Sequence, residues 1–156
     1  MRGFKKVLLI EDDMVFHKDL DFIKSVLEKT PDDADFANYD PRFGKAHYYD
    51  TDGKEVDVKK PVDSTFLRYD GTVWNMSCIM MSDKAIARWI ESSDAYPYNP
   101  DRYIWENTEG LNTYCVSLGN NIAVQNKDYT VKNFSTGWDI YSRIDLNNYN
   151  LENGND

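Results

Sequence analysis

Lys5-Lys6-Val7-Leu8-Leu9-Ile10-Glu11-Asp12-Asp13 is the stretch on which the fold of this chain turns. Four consecutive apolar residues run directly into three carboxylates. An unbroken apolar run of this length, bounded by charge, predicts a strand buried on both faces of a sheet. In open α/β sheets, ligands collect just beyond the carboxyl ends of such strands. Three adjacent acids repel one another, and drawing them out of water is costly unless a cation or a set of donors compensates. Hard divalent ions such as Mg²⁺ or Mn²⁺ are bound through oxygens of this kind. The competing reading makes the triplet an acidic helix start, with Asp12 or Asp13 capping the helix that follows. Spacing alone leaves both open.

Outward from this stretch, Val15, Phe16, Leu20, Ile23, Val26 and Leu27 recur with a helical period until Thr30-Pro31-Asp32-Asp33 stops the run. One amphipathic helix is expected here, packed on the sheet that ends at Ile10. His17 lies near its start as a capping or solvated side chain, with a ligand role as the alternative. Asp35 to Asp40 predicts a short second strand ended by Pro41, and Arg42-Phe43-Gly44 opens a loop. Tyr48 to Val56 carries the Asp52-Gly53 signature of a tight hairpin. Asp50, Asp52, Gly53 and Asp57 lack the glycine placement and closing glutamate of a calcium loop, which favours the turn. Thr65 to Tyr69 predicts a further strand, and Thr72 to Ser82 a core strand. Ser82 then caps a helix from Asp83 to Ile90, with Ala85, Ile86, Trp89 and Ile90 on one face. Pro100 suits a helix start with Asp101 in its first turn. Leu111 to Leu118 and Ile122 to Gln125 read as two late strands. A single domain over residues 1–144 and a polar, Asn-rich, frayed tail over 145–156 are expected.

The 156 residues suit one domain with a real core. A formal net charge of −9 argues against nucleic acid and anionic membrane surfaces as partners, since Lys5-Lys6 and Lys59-Lys60 are isolated basic pairs. The two cysteines, Cys78 and Cys115, sit in apolar-aromatic stretches and form no zinc pattern. Buried free thiols in a reducing compartment are the expectation. No apolar run approaches membrane-spanning length and no signal-peptide pattern opens the sequence, so a soluble, cytoplasmic protein without a transmembrane segment is expected.

Two families share the opening motif. Response-regulator receiver domains also end their first strand in an acidic pair that binds Mg²⁺, and Asp52 would be the phosphorylated residue. That resemblance is incomplete: Lys45 to Tyr49 is not an apolar strand, and the later strand ending in Lys-Pro is missing. The second resemblance runs further. Leu8 to His17 resembles the Glu-Asp-Asp segment of glycosyltransferase family 25, the lipopolysaccharide-biosynthesis and collagen-galactosyltransferase group. Thr30 to Asp35 is similar to the acidic stretch that follows in that family. Thr72 to Ala87 resembles its later strand and helix start, with Ser82 and Lys84-Ala85 in register. Asn99-Pro100-Asp101 resembles its Pro-x-Asp stretch, and Ile122 to Gln125 its late strand ending in Gln.

The resemblance implies an α/β fold, a truncated GT-A-like mixed sheet flanked by helices, and a metal-dependent, inverting glycosyltransferase. Its donor would be a nucleotide-diphosphate sugar, its acceptor a saccharide and its cofactor Mn²⁺ or Mg²⁺. Asp13 would be the metal ligand, Glu11 would face the ribose or donor sugar, and Asp12 would act through the ion's water shell. Asp101 would be the general base, Trp74 and Tyr103 would stack on a sugar, and Gln125 would make a polar contact. Each has a plainer role as well: Asp101 as a helix-start acid, Trp74 as core, Gln125 as a strand end. The family places nucleotide-binding βα units before the acidic motif. Their near absence here implies a shortened homologue, a homo-oligomer or second chain supplying that half, or a non-catalytic remnant or partner subunit. A first strand buried on both faces also needs neighbours on both edges, which predicts self-association or exposed apolar surface near Val7 to Ile10.

Overall fold

The computed structural model describes residues 5–75, 77–93, 108–125 and 145–150. Its core is a six-stranded mixed sheet in the order β1-β6-β3-β7-β5-β4. The strands are β1 (Lys6–Ile10), β3 (Phe36–Asn38), β4 (Arg42–Tyr49), β5 (Phe66–Trp74), β6 (Cys78–Ser82) and β7 (Thr113–Val116). A two-stranded sheet pairs β2 (Met14–Phe16) with β8 (Ala123–Gln125). Two helices, α1 (Leu20–Glu28) and α2 (Asp83–Ser93), complete the described elements.

β6 is buried on both faces, whereas β1 is not. Every residue of Cys78-Ile79-Met80-Met81-Ser82 is buried. Alternate side chains enter two separate cores, as a period of two requires. Ile79 and Met81 join Phe36, Leu67 and Cys115 on one face. Cys78 and Met80 join Val26, Ala37, Phe66 and Val116 on the other. Among the described residues β1 instead pairs with β6 alone, and it alternates between exposed and half-buried positions. Leu8 and Ile10 stand 38% and 44% exposed. The apolar run of β1 therefore marks an edge strand with uncovered apolar surface, as anticipated near Val7 to Ile10, rather than a central one.

The helix after the acidic triplet also begins later than its periodicity suggests. Val15 and Phe16 lie on β2, paired with Val124 and Ala123. The cap of α1 is Asp19, whose Oδ1 accepts from the amides of Asp21 and Phe22 at 2.9 and 3.1 Å. Neither Asp12 nor Asp13 caps a helix. His17 does take the structural role: its Nδ1 accepts from the Asp19 amide at 3.1 Å, and its ring packs on Phe22 and Tyr149.

Arg42-Phe43-Gly44, expected in a loop, opens the eight-residue β4. The hairpin turn beyond it forms as read: Asp50 Oδ1 accepts from the amides of Asp52 and Lys54, and Gly53 holds φ 77°. The expected strand from Thr72 to Ser82 is broken at Asn75, which takes a left-handed φ of 75°. Residues before it belong to β5 and residues after it to β6. Ser82 caps α2 through a 3.1 Å bond from the Ala85 amide, as expected, whereas Ile90 is exposed. Residues 145–150, expected in a frayed tail, are tied down. Tyr149 is buried, forms a bridge with His17 and donates its hydroxyl to Asn121 O at 2.7 Å.

β5 and β6 are separated in the sheet by β7 and β3, yet only three residues join them. Four Cα steps span at most about 15 Å, roughly the width of three strand spacings. The link closes because the second half of β5 leaves β7 and continues as a ribbon with β4, bending back over the sheet. A bulge between Phe43 and Ala46 accommodates the bend. At Gly71 the strands touch so closely that a Cβ would lie 2.6 Å from Lys45 O. The ribbon's Phe43, Tyr48 and Val73 cover one sheet face together with Ala85 of α2, and α1 covers the other through Val26.

Candidate functional site

β1, β3 and β7 run in the same direction, so their carboxyl ends share one rim of the sheet. That rim collects the acidic turn after β1, Asn38 to Asp40 after β3, and Ser117 to Asn121 after β7. The bent β4–β5 ribbon brings Arg42 and Asn75 to the same place, and β8 ends there at Gln125, opposite Met14.

Glu11, Asp12 and Asp13 form a tight turn between β1 and β2. The Glu11 amide donates to Ser77 O at 2.8 Å, which carries the β1–β6 ladder into the turn. Glu11 Oε2 accepts from Ser77 Oγ at 2.5 Å and from Gln125 Nε2 at 3.3 Å. Ser77 Oγ also lies 2.6 Å from Asn75 Oδ1, so one hydroxyl proton is shared between two acceptors. Gln125 Oε1 accepts from Arg42 Nη2, which fixes the amide with its oxygen toward the cation and its nitrogen toward Glu11.

Asp13 differs from Glu11 beside it. Its Oδ1 is buried and has no hydrogen-bond partner. Burial, then the negative charge of Glu11, pushes its carboxyl above the usual range, and the positive charge of Arg42 opposes that shift. An unsatisfied buried carboxylate oxygen is costly, and in a folded protein it marks strain, a functional group or the place of a bound water or ion.

Behind the turn lies a buried polar layer. Asp40 accepts from Asn75 Nδ2 at 2.8 Å and from Asn121 Nδ2 at 3.0 Å. Asn38 donates through Nδ2 to Asn75 O and accepts the Asp40 amide at its Oδ1. These bonds hold Asn75 in its left-handed conformation, which asparagine tolerates better than other side chains bearing a Cβ. Asn75 in turn sets Ser77, and Ser77 sets Glu11. The thiol of Cys78, beside this layer, is pushed up to about 12 by burial and by Asp40, so it is an inert core group.

Of the residues singled out from sequence, the structure brings together Glu11, Asp12, Asp13 and Gln125. Trp74 ends β5 opposite Arg42. Asp101, together with Tyr103, lies outside the described residues. Arg42, Asn38, Asp40, Asn75, Ser77 and Asn121 were missed. The available signal was Asn75, since an asparagine interrupting an apolar run is a turn residue. Asp52 lies in the exposed hairpin turn, and β3–β7 is the one parallel pair among the described residues. Both facts remove the receiver-type arrangement, which needs a phosphorylatable Asp at the end of a parallel central strand.

Among the described residues no three His, Cys, Asp or Glu side chains converge as a ready metal cluster. A hard ion here would take Asp13 as a protein ligand and complete its shell with water and ligand oxygens, the usual habit of Mg²⁺ beside phosphates. The orphaned oxygen of Asp13 and the all-oxygen donor set fit such an ion. No described helix is long and apolar enough to cross a membrane. Compared with models of known families, with curated proteins and with solved structures, the chain shows no match.

Proposed function

We propose that this chain is a GT-A-like, metal-dependent inverting glycosyltransferase that moves a sugar from a nucleotide-diphosphate donor to a saccharide acceptor. The supporting observation is the meeting of two segments of the family resemblance. Glu11 of the acidic motif accepts a hydrogen bond from Gln125, the end of the late strand, 114 positions away. Nothing in local sequence requires those two to touch.

Asp13 would hold a Mn²⁺ or Mg²⁺ ion through the oxygen that lacks a protein partner, with Asp12 acting through the ion's water, and the ion would supply positive charge for the departing diphosphate. Glu11, oriented by Ser77 and Gln125, accepts from a hydroxyl of the donor. Asp101 takes the proton of the acceptor hydroxyl as its oxygen attacks the anomeric carbon, a role worth about a hundred- to ten-thousand-fold in rate.

Thermal unfolding with and without millimolar Mn²⁺ tests the reading, because a ligand bound only to the folded state stabilises it by mass action. The wild type is expected to shift upward and Asp13→Asn to stay unmoved. In metal-free buffer at neutral pH Asp13→Asn should be at least as stable as the wild type. A carboxyl whose folded-state pKa is raised destabilises the fold when ionised, and the amide removes that charge. No Mn²⁺ shift in the wild type, or an equal one in Asp13→Asn, overturns the metal site. One observation favours a second reading, a non-catalytic sugar-binding or partner subunit: Glu11 Oε2 is already engaged by Ser77 and Gln125. Metal-dependent release of free sugar from a nucleotide-diphosphate sugar separates the two.

A further inference from the structure

Three carboxylates in one turn, even with one divalent ion bound, leave the rim formally negative. A diphosphate carries several negative charges of its own and is repelled by such a surface unless a fixed cation stands beside the ion. Arg42 stands there. It is the first residue of β4, its backbone paired with Trp74, and its guanidinium is tied to Gln125 Oε1. Gln125 itself is oriented by Glu11. Gln125 also lies opposite Met14, the residue after Asp13, so the chain of bonds from Arg42 ends beside the acidic turn. The chain thus holds a guanidinium and the metal-seeking oxygen of Asp13 on one rim, from segments far apart in sequence.

We infer that Arg42 is the diphosphate-binding residue of this site, with Gln125 as the residue that aims it. The assignment rests on and deepens the proposed transferase reading, sharing with it the ion at Asp13 and the diphosphate at this rim. A guanidinium suits the role because its planar fork matches the spacing of phosphate oxygens, which a lysine's point charge does not. The same Arg42 serving only to neutralise Asp13 would act on metal affinity and not on phosphate.

Calorimetric titration of the whole chain distinguishes the two, with Mn²⁺ alone and then with inorganic pyrophosphate at saturating Mn²⁺. Arg42→Gln should weaken pyrophosphate binding about ten- to a hundredfold, the range for losing one or two charge-assisted hydrogen bonds. Mn²⁺ alone should bind as tightly or more tightly, because a positive charge beside Asp13 has gone. Arg42→Lys, which keeps charge and approximate length, guards against a folding defect and should still lose about threefold or more. Wild-type pyrophosphate affinity in either variant overturns the assignment, as does an equal loss of Mn²⁺ and pyrophosphate. A wild type that binds Mn²⁺ but not pyrophosphate overturns Arg42 and leaves the metal site standing. Arg42-dependent pyrophosphate binding without any affinity for nucleotide-diphosphate sugars sustains Arg42 and sinks the transferase reading. A wild type that binds neither probe sinks both.

Discussion

Asp35 joins the ends of three elements through its carboxylate. Ser82 Oγ donates to its Oδ1 at 2.9 Å, while Lys84 Nζ and the Asn112 amide reach its Oδ2 at 2.9 and 3.0 Å. Burial alone would raise its pKa. The Asn112 amide, the Lys84 ammonium and the Ser82 hydroxyl outweigh burial and hold it below the usual value of 3.8. A lowered folded-state value means stability that is full above the unfolded pKa and lost as pH falls through the folded one. Unfolding free energy should therefore drop below pH 3.8 in the wild type, and Asp35→Asn should lose that part of the acid dependence while being less stable at neutral pH. Denaturation across an acid pH series checks it, and parallel curves for the two proteins would refute it. The same contacts explain Ser82 and Lys84-Ala85 physically: a cap, an ion pair and a side chain too buried to be larger. Residues of this kind were legible because each is tied to a local signal. Arg42 was not, because Pro41-Arg42-Phe43-Gly44 carries the composition of a loop, and its role depends on Gln125, 83 positions away.

Strand identity was legible at the level of elements, and strand position was not. Apolar runs mark β1 and β6 alike, but an edge strand and a central strand differ only in what the rest of the chain lays over them. β6 has neighbours on both edges and cores on both faces. Among the described residues β1 has one neighbour, and its Leu8–Ile10 face has no cover. Identical substitutions on the paired strands measure the difference. Ile79→Ala, at a site 1% exposed, should cost about 2 to 5 kcal/mol. Ile10→Ala, 44% exposed, should cost well under half as much, since nearly half of its surface is already in contact with water and its removal leaves no closed cavity. Equal losses in urea denaturation would show that something covers β1 in solution. Val15 and Phe16 were misassigned for a related reason. Their spacing to Leu20 fits a helix by coincidence, and only pairing with Val124 and Ala123 makes them a strand.

The rim that forms the candidate site depends on one long-range bend. The sheet alone places the ends of β1, β3 and β7 together, but Arg42 and Asn75 arrive only because the β4–β5 ribbon doubles back. Gly71 pairs with Ala46 within that ribbon. Its φ of 118° disfavours any side chain, and a Cβ would press on Lys45 O at 2.6 Å and Ala46 Cα at 2.8 Å. Both are backbone atoms, so no side-chain rotation relieves the contact. Gly71→Ala should cost at least about 2 to 3 kcal/mol, combining the unfavourable backbone region with overpacking. The loss should fall on the site as well as on the fold. If the ribbon relaxes outward, Arg42 withdraws from Asp13 and Gln125, whereas the acidic turn remains anchored to β6 through Ser77 O. Below its unfolding temperature, Gly71→Ala should therefore keep Mn²⁺ binding and lose pyrophosphate binding, as Arg42→Gln does without touching the bend. Gly53→Ala is the comparison: its φ of 77° is also left-handed, but no atom lies within 4 Å of the added Cβ. It should lose only about 1 kcal/mol and leave both ligands bound. If Gly71→Ala folds with unchanged affinity for both probes, the bend does not govern the site.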